Sequence, residues 1–146
     1  MAIIDKKQYT YIADRDELQS IGLKLPLTLD NGELGLTKTT IEAVKQNVLS
    51  LCSTESGERI MQPTLGIRLK RFIFEPFSEE VVNQIKIVIQ ESMNYWMPFV
   101  QITDIRVQMS DNTTGDSKSR MEASIDFNLS RDPNTTASVQ ILIGGE

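Results

Sequence analysis

MEASIDFNL, Met121 to Leu129, is the stretch that decides what kind of domain this chain builds. Met121, Ala123, Ile125, Phe127 and Leu129 take every second position, and Glu122, Ser124, Asp126 and Asn128 fill the places between. A period of two puts the five apolar side chains on one face of a β-strand and the four polar ones on the other. On the C-terminal side, Val139, Ile141 and Ile143 repeat the pattern beyond the turn-forming SRDPNT (130–135). On the N-terminal side, Ile105, Val107 and Met109 do so before the long polar connection SDNTTGDSKS (110–119). Val100 and Ile102 are out of phase with Ile105 and Val107, which predicts a bend or bulge near Thr103–Asp104. Three strands with one apolar face each form an antiparallel sheet whose inner face needs a cover.

The upstream residues supply that cover. Thr39-Thr40-Ile41-Glu42 has the form in which a threonine caps one amide and a glutamate reaches back to another. Ile41, Val44, Val48 and Leu51 then follow at spacings of three and four, one apolar stripe that ends in STESG at Gly57. A longer helix is expected from about Glu79 to Tyr95, with Ser78 as its cap and Glu79 and Glu80 in its first turn. Val81, Val82, Ile85, Val88, Ile89 and Met93 give it a broad apolar face, and Pro98 stops it. Between the two, LGIRLKRFIF (65–74) predicts a shorter helix with Leu65, Leu69, Phe72 and Ile73 inward, ended by Pro76. Leu23, Leu25, Leu27 and Leu29 alternate with other residues, as in a short extended segment packed on one face, though Pro26 excludes a central strand. Residues 1–20 are polar, with Tyr9, Tyr11 and Ile12 as anchors. The expected fold is α+β: helices packed on one face of a small antiparallel sheet, with an extended N-terminal arm (1–20) and a single domain over 21–146.

Composition narrows the chemistry. The chain has 146 residues, 40% of them hydrophobic, enough for one core. No apolar run reaches the roughly 20 residues that cross a bilayer. The first residues lack the basic start, apolar stretch and cleavage site of a signal peptide, so a cytosolic site of synthesis and use is expected. The one cysteine, Cys52, falls in the apolar helical pattern and suits a buried small hydrophobe. Without histidine, Ser-His-Asp and Cys-His catalysis and histidine metal sites are excluded. With one cysteine, a closed zinc site is excluded as well. Only carboxylate or lysine chemistry remains, and neither a cofactor nor a metal is expected. The net charge of −5 argues against nucleic acid as the main partner, RLKR (68–71) being the only dense basic stretch.

GERIMQPTLG, Gly57 to Gly66, admits three interpretations. As a hydrolase loop it would use Glu58 with Glu75, Glu79 or Glu80, since glycoside hydrolysis needs two carboxylates roughly 5–10 Å apart. As a phosphate loop it lacks the lysine and hydroxyl that follow the second glycine, and Pro63 removes an amide donor. A rigid elbow accounts for every residue. Gly57 permits a left-handed exit from the first helix, Pro63 stiffens the linker, and Gly66 allows close approach. On that view Met61 and Leu65 plug the core beneath, and Glu58 and Arg59 pair or cap helix ends.

With its flanks, this segment resembles a known family. LCSTESGERIMQPTLGIRLKRFIFEP (51–76) is similar to the signature of the phage baseplate wedge family typified by gene product twenty-five of T-even phages, whose relatives include the type VI secretion component. Leu51, Gly57, Glu58, Arg59, Met61, Pro63, Gly66, Leu69, Phe74, Glu75 and Pro76 occupy the motif positions, and the resemblance extends from Ser20 to Ile143. It implies a structural, non-enzymatic wedge subunit at the start of the contractile sheath, in the virion tail baseplate and assembled in the host cytoplasm. Its implied partners are other wedge proteins and the tail sheath protein, with no nucleic acid, membrane or small-molecule substrate. It further implies that C-terminal β-structure, here Val139, Gln140, Ile141, Leu142 and Ile143, templates the first sheath ring by strand exchange. Where the family carries Glu-Pro-Arg to contact the wedge's helical bundle, this chain has Met97-Pro98-Phe99. Either that contact is hydrophobic, through Trp96, Met97, Pro98 and Phe99, or Glu58, Arg59 and Arg68 carry its polar part. The alternatives are a carboxylate-based tail lysozyme and the equivalent part of another contractile injection machine.

Overall fold

In the computed structural model, residues 19–27, 29–30, 33–110 and 120–143 are described. The expected arm and the connection at 111–119 lie outside them, apart from the arm's last two residues. Among the described residues the elements run β1 (Gly22–Leu23), β2 (Leu29–Asp30), β3 (Glu33–Leu34), β4 (Leu36–Thr37), α1 (Thr40–Ser53), a 3-10 helix (Lys70–Phe74), α2 (Glu79–Trp96), β5 (Val100–Ser110), β6 (Arg120–Leu129) and β7 (Asp132–Ile143). The described residues fall into two units, divided after Gln46.

In the second unit the sheet has the antiparallel order β5-β6-β7, so the MEASIDFNL strand is its centre. Ile125 stands opposite Ile105 on one side and Val139 on the other. All five apolar residues of β6 are buried, as are Val139, Ile141 and Ile143 of β7. The expected bulge is present, with the β5–β6 register shifting between Ile102 and Asp104. Two differences from expectation concern the ends of the strands. Met109 is 42% exposed, because it lies at the far end of β5. β7 starts at Asp132 rather than after the SRDPNT turn, since Leu129 pairs with Asp132 and the reversal is made by Ser130 and Arg131 alone. Pro133 is tolerated because β7 is an edge strand, where a missing amide costs no internal ladder bond.

α2 covers this sheet on the β5 side. Ser78 Oγ accepts from Val81 N at 3.3 Å, the expected cap. Val81, Ile85, Ile89 and Met93 are buried, and Met97 continues the line just past the helix. Val82 and Val88 are half-buried, so the stripe is one residue wide where a broad face was expected. At α1, Thr39 Oγ1 accepts from Glu42 N at 3.4 Å, while the Glu42 carboxylate accepts from Lys38 N at 3.3 Å. Cys52 is buried beside Leu51 in the sequence, and burial pushes its thiol up to about 12.

The predicted helix over 65–74 shrinks to the 3-10 turn at Lys70–Phe74. Ile67, Leu69 and Phe72 are buried there, whereas Leu65 is half-buried and Ile73 is 40% exposed. A period of three places Leu69 and Phe72 on one side and turns Ile73 outward. In the first unit β1 pairs with β4 and β2 with β3, each over two residues. Leu23, Leu25, Leu27 and Leu29 are exposed, contrary to the packed face expected of them. The chain bends at Leu25–Pro26, so their alternation is not carried on one continuous strand.

Candidate functional site

The elbow is built by tying its two limbs together. Ile67 N donates to Thr54 O at 2.9 Å, Ser56 Oγ to Gly66 O at 3.2 Å, and Lys70 N to the Glu55 carboxylate at 2.9 Å. Between the limbs, turns are closed by Glu58 N to Glu55 O, Gln62 N to Arg59 O and Leu65 N to Gln62 O. Gly66 has φ 115°, and a Cβ there would collide with Thr54 O and lie 2.9 Å from Glu55 C. Gly57 has φ 103° with open space around it, so it serves the backbone conformation alone.

Two expectations for this segment are corrected. Met61 does not plug the core: it is 93% exposed, and its neighbour Ile60 is 95% exposed. The limbs satisfy each other's hydrogen bonds and Ile67 fills the core, so the tip projects outward. Glu58 does not pair with Arg59. It pairs with Lys70 at 3.4 Å and accepts from Glu55 N at 3.0 Å. That amide, with Lys70 assisting, holds the Glu58 carboxyl below the ordinary carboxylate range.

Two grooves flank Trp96. One, of about 670 Å³, lies between the elbow and α2 and is lined by Pro63, Arg68, Arg71, Glu91, Tyr95 and Trp96 among others. The other, of about 430 Å³, includes Arg59, Leu65, Trp96, Met97 and Phe99. The residues expected to face the wedge thus divide. Arg59, Arg68, Pro98 and Phe99 are exposed, Trp96 is half-buried, and Met97 is a core residue that touches the second groove. Tyr95 was missed. It is 75% exposed and meets Trp96 edge-on at 5.0 Å; being the last polar-face residue before the helix end, it carried no signal of its own. Among the described residues none of Arg59, Arg68 and Arg71 forms an ion pair, although Arg71 lies 4.5 Å over the Phe72 ring.

The second face is β7. It pairs with β6 on one side only, and among the described residues no strand occupies its other edge. Val139, Ile141 and Ile143 point into the core, while Gln140 and Leu142 lie on the outer face, Leu142 being 56% exposed. The opposite edge strand, β5, carries the bulge, and Arg106 beside it pairs with Asp104 and Asp126. Among the described residues no three His, Cys, Asp or Glu side chains gather as a metal site, and no helix is long and apolar enough to cross a membrane.

Residues 38–134 match the family described as baseplate wedge protein gp25. A chain of the anti-feeding prophage baseplate is 29% identical over 74% of this chain and 83% of its own, with a TM-score of 0.60. A Geobacter sulfurreducens protein provisionally called a tail lysozyme is 18% identical over 71% and 89%, with a TM-score of 0.60. A chain of the type VI secretion baseplate complex is 16% identical over 72% and 94%, with a TM-score of 0.51. At those last two identities the likeness is one of fold. Among curated proteins none matches significantly.

Proposed function

Since the chain belongs to the baseplate wedge protein gp25 family, a structural component of contractile injection systems, we propose that it is the wedge subunit that starts the sheath. In this role it joins other wedge proteins through the surface around Trp96 and offers β7 to the sheath protein in the tail baseplate. The observation that carries the sheath role is the unpaired edge of β7, whose stretch from Thr136 to Ile143 is in unbroken register with β6 and rooted in the core through Val139, Ile141 and Ile143. An open edge of that length is a template for strand addition, with main-chain hydrogen bonds supplying the affinity. Each edge has an irregular stretch, near Ile102–Asp104 on β5 and before Thr136 on β7, but the ionic cluster of Arg106 with Asp104 and Asp126 adds charge only on the β5 side, which favours addition along Thr136–Ile143.

The protein acts without turnover. Glu58 is the acid nearest the hydrolase pattern, yet its carboxyl is held low by Glu55 N and Lys70. That direction is unsuited to the general acid of a carboxylate pair, the one member that must stay protonated near neutral pH.

The test mixes the purified protein with the sheath and wedge proteins of its own tail, followed by size exclusion and negative-stain microscopy, with a peptidoglycan digest alongside. Co-assembly is expected for the wild type and for Glu58→Gln. Sheath nucleation is expected to be lost in the double variant Gln140→Lys, Leu142→Lys, which keeps the core face of β7. Normal sheath rings from that variant would overturn the strand role. Peptidoglycan hydrolysis that disappears with Glu58→Gln would make the protein a tail lysozyme instead.

A further inference from the structure

The tip of the elbow is the most exposed apolar surface among the described residues, with Ile60 and Met61 both more than nine-tenths open. These side chains stand on a loop whose limbs are tied at Thr54–Ile67, Ser56–Gly66 and Glu55–Lys70, with the Glu58–Lys70 ion pair across its base. A loop tied in this way presents its two large apolar residues with little ordering left to do on binding, which is how an interface anchor works.

Charge says what kind of surface they enter. Residues 58–71 hold Arg59, Arg68, Lys70 and Arg71 against the single carboxylate Glu58, in a chain whose net charge is −5. With the flanking Glu55 and Glu75 included, positive charge still exceeds negative on the elbow by four side chains to three, and only Lys70 of the four has an ion-pair partner among the described residues. The guanidinium groups without an ion pair, of which Arg71 rests on the Phe72 ring, are not scattered. Arg68 and Arg71 line the first groove and outnumber its one carboxylate, Glu91, while Arg59 lines the second, and Trp96 is the wall common to both. Apolar anchors and an aromatic centre, rimmed by arginines, is the composition of a protein interface rather than of a solvated loop.

We propose that the elbow and its two grooves form one docking surface for an acidic segment of another baseplate protein, with Ile60 and Met61 as apolar anchors and Arg59, Arg68 and Arg71 as its charged rim. The inference rests on the wedge-subunit assignment and adds the partner's chemistry: carboxylates placed on either side of an apolar patch. It also reassigns Met61, which acts at the interface, not in the elbow's packing. The anchors separate this surface from one made for phosphates, since a nucleic-acid backbone offers nothing to cover Ile60 and Met61.

The experiment immobilises the purified wedge proteins of the same tail and titrates four forms of this protein over a range of salt. These are the wild type, Ile60→Ser with Met61→Ser, Arg68→Glu with Arg71→Glu, and Ile87→Ser as a control at an exposed site on α2. All the substituted side chains are exposed, so circular dichroism and Tm should match the wild type. Each double variant should bind about tenfold more weakly or worse, the control should be unchanged, and wild-type affinity should fall as salt rises. Wild-type binding that neither double variant weakens would overturn the inference and leave the wedge assignment standing. Failure of the wild type to bind any wedge protein would remove the assignment, and the inference with it. Preference for duplex DNA over the wedge proteins, lost in Arg68→Glu with Arg71→Glu, would replace the acidic protein segment with a nucleic acid.

Discussion

Gly66 shows how much one atom can decide. Its left-handed backbone is strained for any residue with a Cβ, and that Cβ would run into the main chain of Thr54 and Glu55, which cannot swing aside as a side chain would. Gly66→Ala should therefore cost about 2 kcal/mol or more, read as a Tm lowered by several degrees. Gly57→Ala, with open space around it, should cost only the backbone term, about 1 kcal/mol. Equal Tm values for the two variants would show that the contact with Thr54 does not matter. At this scale the sequence was partly legible. Close approach at Gly66 could be read from a glycine at the foot of a helix-linker segment. The outward turn of Met61 could not, because it follows from bonds such as Glu55–Lys70 that join residues 15 apart in sequence.

At the scale of elements, legibility tracked how local the cause is. β6 was readable to the residue because strand alternation needs no knowledge of neighbours, and the Ile102–Asp104 bulge showed as a phase break. The helix over Glu79–Trp96 was equally plain, its capping serine and first-turn acids being adjacent in sequence. Ser78→Ala should lower stability by about 1 kcal/mol while Glu79 and Glu80 still complement the helix dipole; an unchanged denaturant midpoint would mean the Val81 amide finds another acceptor. The leucine alternation over 23–29 misled because a period of two says nothing about whether a partner strand exists, and here pairing lasts only two residues. The short 65–74 segment misled for a related reason. Helical periods of 3.0 and 3.6 diverge by less than one residue over a single turn, so Ile73 could be placed on either side.

For the whole molecule, the two faces of the second unit differ in kind. β7 offers main-chain hydrogen bonds along an open edge, which suits joining to a repeating partner. The Trp96 surface offers side chains of mixed apolar and cationic character, which suits one particular partner. The family could be recognised from residues 51–76, and the fold class from strand phase, but the division between these faces needed the register of β7 and the course of the elbow. Both are long-range facts that no local pattern records.

Trp96 is the chain's only tryptophan and stands where the two grooves meet. The protein consequently carries its own optical probe at the centre of the proposed contact. Its emission should move to shorter wavelength when a partner excludes water from that indole, so occupancy can be followed by fluorescence without a label, in solution and in real time.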